Sequence, residues 1–426
     1  MVDYVKIIAD KINTGIPVAL YTVGGDTFSV IRALKHRYGV KPVAVCDRDT
    51  AKQGRKYSGL DGIPVMSYDD TNAYYPNAGF FISSMDYRYD IMGELVHGNR
   101  LPPERIINWE PVEKRESCIF FEKSIFVKDN GDLIFCCAPN SPCMEYISDS
   151  KTYANRFKQY RDTLIKSCIS RSKLPETCIS CGYLCEGWYP IKPKAWWLNW
   201  FTRGVCNYKC SYCISPTHTL KDLQNLPTFK NTLLAFLESD MLSDFYSVIL
   251  STSGEPTLHP DRKEFFESSN GYALVVNTNG SVFDEDLFAL MQDSIVRLII
   301  SLDAGSPEKY SEVKGTDSFD KVLSNMRLYM QAKTGYVVPK YIVTPYINDC
   351  EAEVDRFAAI CIELNVPYVI AAYDQNGQQP IPECSVSAIA RLKQKLEKND
   401  ILCVPYTPYE TFEYVAALKK AFLDTA

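Results

Sequence analysis

Beyond residue 195 the chain alternates short apolar runs with stretches whose apolar residues recur every three or four positions. The runs at 196–201, 246–250, 273–277, 296–302, 337–343 and 368–372 predict strands, because each is short and rich in β-branched and aromatic residues. The stretches at 228–238, 260–268, 285–292, 319–332, 351–365 and 387–398 predict amphipathic helices between them. Regular alternation of this kind implies parallel strands joined by crossover helices, with working residues at the carboxyl ends of the strands. A shorter version opens the chain: apolar runs at 16–22, 42–46, 63–65 and 79–83, and a helical pattern over 27–38 after the turn Gly24-Gly25-Asp26. In the middle, Asn130-Gly131 separates alternating runs at 124–127 and 133–135, a strong hairpin signal.

Composition sets the scale. With 426 residues, 46% hydrophobic and 12% aromatic, the chain can bury large cores, and the pattern divides it into 1–110, 111–194 and 195–426. A net charge of −6 argues against a nucleic-acid backbone as partner. Met1 to Lys11 reads as an amphipathic helix too charged for a secretory core, and no apolar run reaches membrane-spanning length. A reducing cytoplasm is therefore expected, where sixteen cysteines mean metal more often than crosslinks.

The sharpest chemistry is Cys206-x3-Cys210-x2-Cys213, just after the first predicted strand of the carboxyl-terminal part. Three thiolates on one loop can hold an iron–sulfur cube and leave one iron open. The competing reading is zinc, completed by His218. The spacing, with Tyr212 before the last cysteine, resembles the signature of the radical S-adenosylmethionine (SAM) superfamily. That resemblance implies a partial (β/α)6, TIM-like barrel, a [4Fe–4S] cluster on Cys206, Cys210 and Cys213, and SAM on the open iron.

It also implies cofactor contacts. Tyr212 would meet the adenine, and Ser253-Gly254-Glu255 looks like the family's Gly-Gly-Glu segment with Ser253 in place of the first glycine. Asn277 and Asn279, then Ser301 and Asp303, form polar clusters at later strand ends, suited to ribose and to the SAM carboxylate. Lys314 is a further carboxylate or substrate contact. Read without the family, such residues are turn formers and helix caps.

The cysteines of 111–194 resemble a SPASM/twitch auxiliary-cluster domain, here placed before the barrel. The resemblance implies one auxiliary [4Fe–4S] cluster on Cys118, Cys136, Cys178 and Cys181, with Cys137, Cys143, Cys168 and Cys185 as substitutes or ligands of a second. A four-thiolate zinc site is the alternative. Cys46, Cys350, Cys361, Cys384 and Cys403 are scattered and expected to be buried structural thiols.

Residues 1–110 resemble the small Rossmann-like domain of surface-polysaccharide and nucleotide-sugar enzymes, with Asp47 ending the second strand but without the G-x-G-x-x-G order. Nucleotide binding and plain docking are both open. Trp188, Trp196, Trp197 and Trp200 predict a packed junction before the barrel, with a stacking surface for a sugar or peptide as the alternative. The family mechanism implies an electron donor such as flavodoxin or ferredoxin, SAM cleavage to a 5′-deoxyadenosyl radical, and hydrogen abstraction from a small-molecule substrate. A carbohydrate or nucleotide-sugar, dehydrogenated or epimerised, is the first reading. A ribosomal peptide is the second, and a non-catalytic iron–sulfur carrier or zinc scaffold the third.

Overall fold

The computed structural model describes residues 3–85, 87–128, 130–136, 141–179, 181–202, 205–213, 231–232, 235–236, 239, 242–252, 254–270, 273–373 and 382–406. Cys137, His218 and Ser253 lie outside the described residues, as does most of the helix expected over 228–238.

The chain begins α1 (Tyr4–Asn13), β1 (Val18–Tyr21), α2 (Gly25–Ala33), β2 (Ala44–Cys46), β3 (Val65–Met66), α3 (Tyr68–Tyr74), β4 (Gly79–Ile82) and α4 (Arg88–Gly93). Its four strands are parallel, in the order β3-β2-β1-β4. Every residue of β1, β2 and β4 is buried, the pattern of strands covered on both faces.

Next come β5 (Val112–Cys118), α5 (Ile119–Lys123), β6 (Ser124–Lys128), β7 (Leu133–Ile134), β8 (Cys143–Met144), α6 (Ser150–Ser170) and β9 (Leu184–Pro190). The hairpin forms as expected: β6 and β7 are antiparallel, with Gly131 at φ +81° in their connection. It is built into the barrel sheet. β6 pairs in parallel with β10 (Ala195–Thr202), so the cysteine-rich stretch continues that sheet.

The large sheet runs β8-β7-β6-β10 and on through β11 (Leu242–Thr252), β12 (Ala273–Thr278), β13 (Val296–Ser301), β14 (Tyr336–Val343), β15 (Tyr368–Tyr373) and β16 (Leu402–Tyr406). From β10 to β16 neighbours in sequence are neighbours in space and all are parallel, which is the partial TIM-like barrel. The barrel segment holds seven strands where six were expected. β16, at 402–406, is short and interrupted by Pro405, tolerable in a strand at the edge of the sheet. The crossovers carry α7 (Arg262–Ser268), α8 (Glu285–Asp293), α9 (Pro307–Lys314), α10 (Phe319–Tyr329), α11 (Glu351–Glu363) and α12 (Glu383–Glu397).

The two faces of this sheet serve different cores. Leu274, Val276, Leu298, Ile300, Val337 and Val369 pack with helix residues such as Met291, Met326, Phe357 and Leu392. Their alternates on the inner face, Val275, Ile299, Val338, Tyr368 and Leu402, pack instead with Phe28, Ile31 and Leu34 of the amino-terminal part. That part meets the barrel at the amino ends of its strands. Arg32 donates from Nε to the Lys333 carbonyl at 2.9 Å, and the Ser58 hydroxyl to the Val366 carbonyl at 3.1 Å.

The amino end of α2 meets the barrel strands directly. Asp26 pairs with Arg297 of β13 at 2.8 Å, and the Tyr336 hydroxyl donates to the Gly25 carbonyl at 2.7 Å. A Cβ on Gly25 would lie 2.5 Å from the Tyr368 hydroxyl oxygen, so this approach requires glycine. Trp188 of β9 makes a second junction, stacked on His97 with ring centroids 4.6 Å apart and seated over Gly93. The side chains of Trp196, Trp197 and Trp200 lie outside the described residues.

Candidate functional site

The loop 205–213 leaves the carboxyl end of β10, and its neighbours hold it on two sides. On one side the Lys209 N–H donates to the Lys314 carbonyl at 3.3 Å and the Ser211 N–H to the Val313 carbonyl at 2.8 Å. These are the free carbonyls of the last turn of α9, which every helix must satisfy somehow. Gly315, at φ +69°, ends that helix, and a Cβ there would stand 3.0 Å from the Lys209 carbonyl oxygen. On the other side the Glu255 N–H donates to the Val205 carbonyl at 3.0 Å.

Two polar knots flank the three thiols. In the first, Asp303 and Lys314 form a fully buried ion pair. The Tyr212 hydroxyl donates to Asp303 Oδ2 at 2.7 Å and accepts from Lys314 Nζ at 2.7 Å. Asp303 Oδ1 accepts the Ile342 N–H at 2.7 Å, while the Asn348 amide donates to the Asp303 carbonyl at 2.8 Å. Asp303 holds φ +56°, an uncommon conformation that these bonds fix in place. Burial, and then the Asp303 carboxylate, push the Tyr212 phenol well above its ordinary range.

The second knot centres on Glu255, which is buried. Its carboxylate accepts from the Thr257 hydroxyl at 2.8 Å, the Asn279 N–H at 2.7 Å and the Thr278 hydroxyl. Burial raises its pKa and these donors oppose the rise. Asn279 then donates to Asn207 at 2.9 Å and lies 4.0 Å from the Cys206 sulfur, so this knot also grips the cysteine loop.

The sequence-selected residues are thus gathered at one end of the barrel, several of them bonded to one another. Tyr212, Asp303 and Lys314 meet directly, and Glu255 and Asn279 meet directly. Ser301 ends β13 and Asn277 lies in β12, both half-buried, and Gly254 precedes Glu255. Sequence reasoning assigned no role of their own to Asn207, inside the cysteine motif, to Thr278, between Asn277 and Asn279, or to Asn348 and Lys340. A strand-alternation signal was available for Lys340: it follows Tyr336 and Val338 on one face of β14 and is charged.

Cys206, Cys210 and Cys213 lie within electrostatic reach of one another, and burial raises the thiols of Cys206 and Cys210. Among the described residues no group of three or more His, Cys, Asp and Glu side chains stands ready to enclose a metal ion. The donor set nevertheless fits iron and sulfide: three soft thiols on one short loop, with the Lys314 ammonium favouring the thiolate of Cys210.

In the cysteine-rich stretch, the thiols that interact with Cys118 are Cys168, on α6, and Cys181, and Cys168 interacts in turn with Cys178. Cys136 is turned to Ser141, its sulfur 3.3 Å from that hydroxyl. Of the scattered cysteines, Cys46, Cys361 and Cys403 are buried as expected, whereas Cys350 and Cys384 are exposed. Both sit at helix amino ends, Cys350 capping α11 and Cys384 in the first turn of α12, on the rim and not in the core.

Three thiols on the loop after the first strand of a parallel strand–helix barrel are a donor set suited to an iron–sulfur cluster. Residues 201–358 match the model of the Radical SAM superfamily, and this segment is a radical SAM domain. That family uses a [4Fe–4S] cluster and SAM. The chain is 26% identical over 167 residues to a GTP 3′,8-cyclase of Microcystis aeruginosa, covering 37% of this chain and 50% of that protein. It is 31% identical over 150 residues to an uncharacterised protein of Methanocaldococcus jannaschii, covering 34% and 47%. The chain thus spans about half the length of these curated relatives. Among solved structures, Streptococcus suis SuiB matches over 72% of this chain and 74% of that one, at 13% identity and a TM-score of 0.41. Among the described residues no helix is long and apolar enough to cross a membrane.

Proposed function

We propose that this protein is a radical SAM enzyme acting on a small organic substrate, a carbohydrate or a nucleotide-linked molecule. The observation that carries the reading is the Cys206, Cys210 and Cys213 loop at the mouth of a barrel whose sequence matches the superfamily. Cys206, Cys210 and Cys213 would hold the [4Fe–4S] cluster. When bound, the cluster and SAM supply a 5′-deoxyadenosyl radical that removes a hydrogen atom from the substrate, with the reducing electron coming from a carrier such as flavodoxin or ferredoxin.

The protein's own residues supply position and exclusion. Lys314 and Asp303 fix the loop from one side, and Glu255 and Asn279 from the other. The amino-terminal part seals the strand ends opposite the cysteines, keeping water from that direction. Ser301, at the end of β13, and Asn277, near the end of β12, would then offer polar groups to SAM hydroxyl or carboxylate groups. The GTP 3′,8-cyclases that match part of the chain act on a nucleotide, which supports a phosphorylated substrate over a neutral sugar.

Residues 1–110 would then be a docking unit. The turn that would cradle a dinucleotide phosphate is occupied by Arg297, Tyr336 and Tyr368. Asp47, placed for a ribose, instead accepts the Val23 N–H at 2.8 Å and the Asp49 N–H at 2.9 Å. An auxiliary cluster on Cys118, Cys178 and Cys181, with Cys136 or Cys168 as the fourth ligand, would pass an electron to or from the substrate.

Anaerobic reconstitution with iron and sulfide, and then addition of dithionite and SAM, tests the reading. We expect 5′-deoxyadenosine from the wild type and none from Cys210→Ala, while Cys118→Ala loses about half of the bound iron. Cleavage that survives in Cys210→Ala overturns the assignment.

A further inference from the structure

Given the radical SAM reading of the chamber, we propose that Lys340 holds an anionic group, a carboxylate or a phosphate, of the molecule acted on. Lys340 lies on β14 in register with Ser301 of β13 and Ile370 of β15. It shares the inner face with Tyr336 and Val338, which belong to the apolar floor. The floor ends at Val338 and the next inward residue is a cation. Beyond it, towards the cysteine loop, comes Asp303, whose N–H donates to the Lys340 carbonyl at 3.2 Å.

The three cations Arg297, Lys314 and Lys340 differ in their partners. Arg297 is paired with Asp26 and Lys314 with Asp303. Asp303 is already engaged on both oxygens, Oδ1 by the Ile342 N–H and Oδ2 by Tyr212 and Lys314. Among the described residues the Lys340 ammonium makes no ion pair and no hydrogen bond. Lys340 is half-buried in mid-strand, where its stem has less room to reach bulk water than that of a surface lysine. Burial lowers its pKa, and the nearby Asp303 carboxylate opposes the drop. Withdrawing a cation from water is costly unless an anion meets it, so a ligand that brings the anion gains affinity there. The Ser301 hydroxyl, one strand away in register, can donate to the same group.

The test uses the full chain with its cluster reconstituted, as wild type, Lys340→Met and Lys340→Arg. Inorganic phosphate and pyrophosphate are the probes, at constant ionic strength set with chloride. We expect both to raise the thermal midpoint of the wild type and of Lys340→Arg, with apparent affinity for pyrophosphate about 10- to 100-fold weaker in Lys340→Met. In the wild type, pyrophosphate should slow acetylation of Lys340 by acetic anhydride, read by peptide mass spectrometry, a measurement that needs no folded variant. Equal responses from wild type and Lys340→Met, or acetylation indifferent to pyrophosphate, overturn the proposal. So does a tenfold loss of SAM affinity in Lys340→Met that decarboxylated SAM does not share, because Lys340 would then serve the methionine carboxylate of SAM. If the wild type forms no 5′-deoxyadenosine, the radical reading fails, while the pyrophosphate response still decides whether Lys340 binds anions.

Discussion

Asp303 shows what a single side chain can hold together. Its two carboxylate oxygens and its carbonyl bind a phenol, an ammonium, an amide side chain and a strand N–H, from four separate segments. Because the Asp303–Lys314 pair is buried, removing one partner strands the other charge in the interior. We expect Lys314→Met to cost about 3–5 kcal/mol in urea denaturation, and the double change Lys314→Met with Asp303→Leu to recover much of it. A double variant no more stable than Lys314→Met would show that the pair is not coupled. That Tyr212, Asp303 and Lys314 belong together was legible only as a set of resemblances. Their mutual bonding was not, since a sequence shows that three polar residues are needed at strand ends but not that they satisfy one another.

At the scale of elements, Glu255 joins β11 to β12 and, through Asn279 and Asn207, to the cysteine loop. Its pKa is raised above the ordinary 4.5 by burial. A raised carboxyl pKa favours the folded state below the unfolded value, and that contribution is lost as pH climbs through the folded one. Wild-type stability should therefore fall relative to Glu255→Gln from about pH 4.5 upward and then level off, as read from urea midpoints between pH 4 and pH 8. A pH-independent difference between the two proteins would contradict the raised pKa. The hairpin at Asn130-Gly131 was legible because turn chemistry is local. The company kept by Cys118 was not: α5 intervenes between β5 and the hairpin, and α6 brings Cys168 from fifty residues away. The seventh barrel strand was missed because it is short and carries a proline.

At the scale of the whole molecule, parallel α/β character came from periodicity and the barrel from the family resemblance, whereas the mutual placement of the parts came from neither. Nothing in Gly24-Gly25-Asp26 says whether it faces a phosphate or an arginine. The structure answers with Arg297, half-buried against Asp26. We expect Arg297→Met to destabilise the protein by about 2–4 kcal/mol, with the amino-terminal part becoming the first site of limited proteolysis. In Lys340→Met, which lacks the barrel cation, ADP and NAD should leave the thermal midpoint unchanged, and a saturable rise with either would reopen nucleotide binding at residues 1–110.

The inward thrust of Gly25 and Asp26 has a topological corollary. A barrel stoppered at one end cannot pass a long polymer through its bore like thread through a needle. Its cargo must be compact, or must present only a terminus or a side group, and must back out after reaction instead of travelling on.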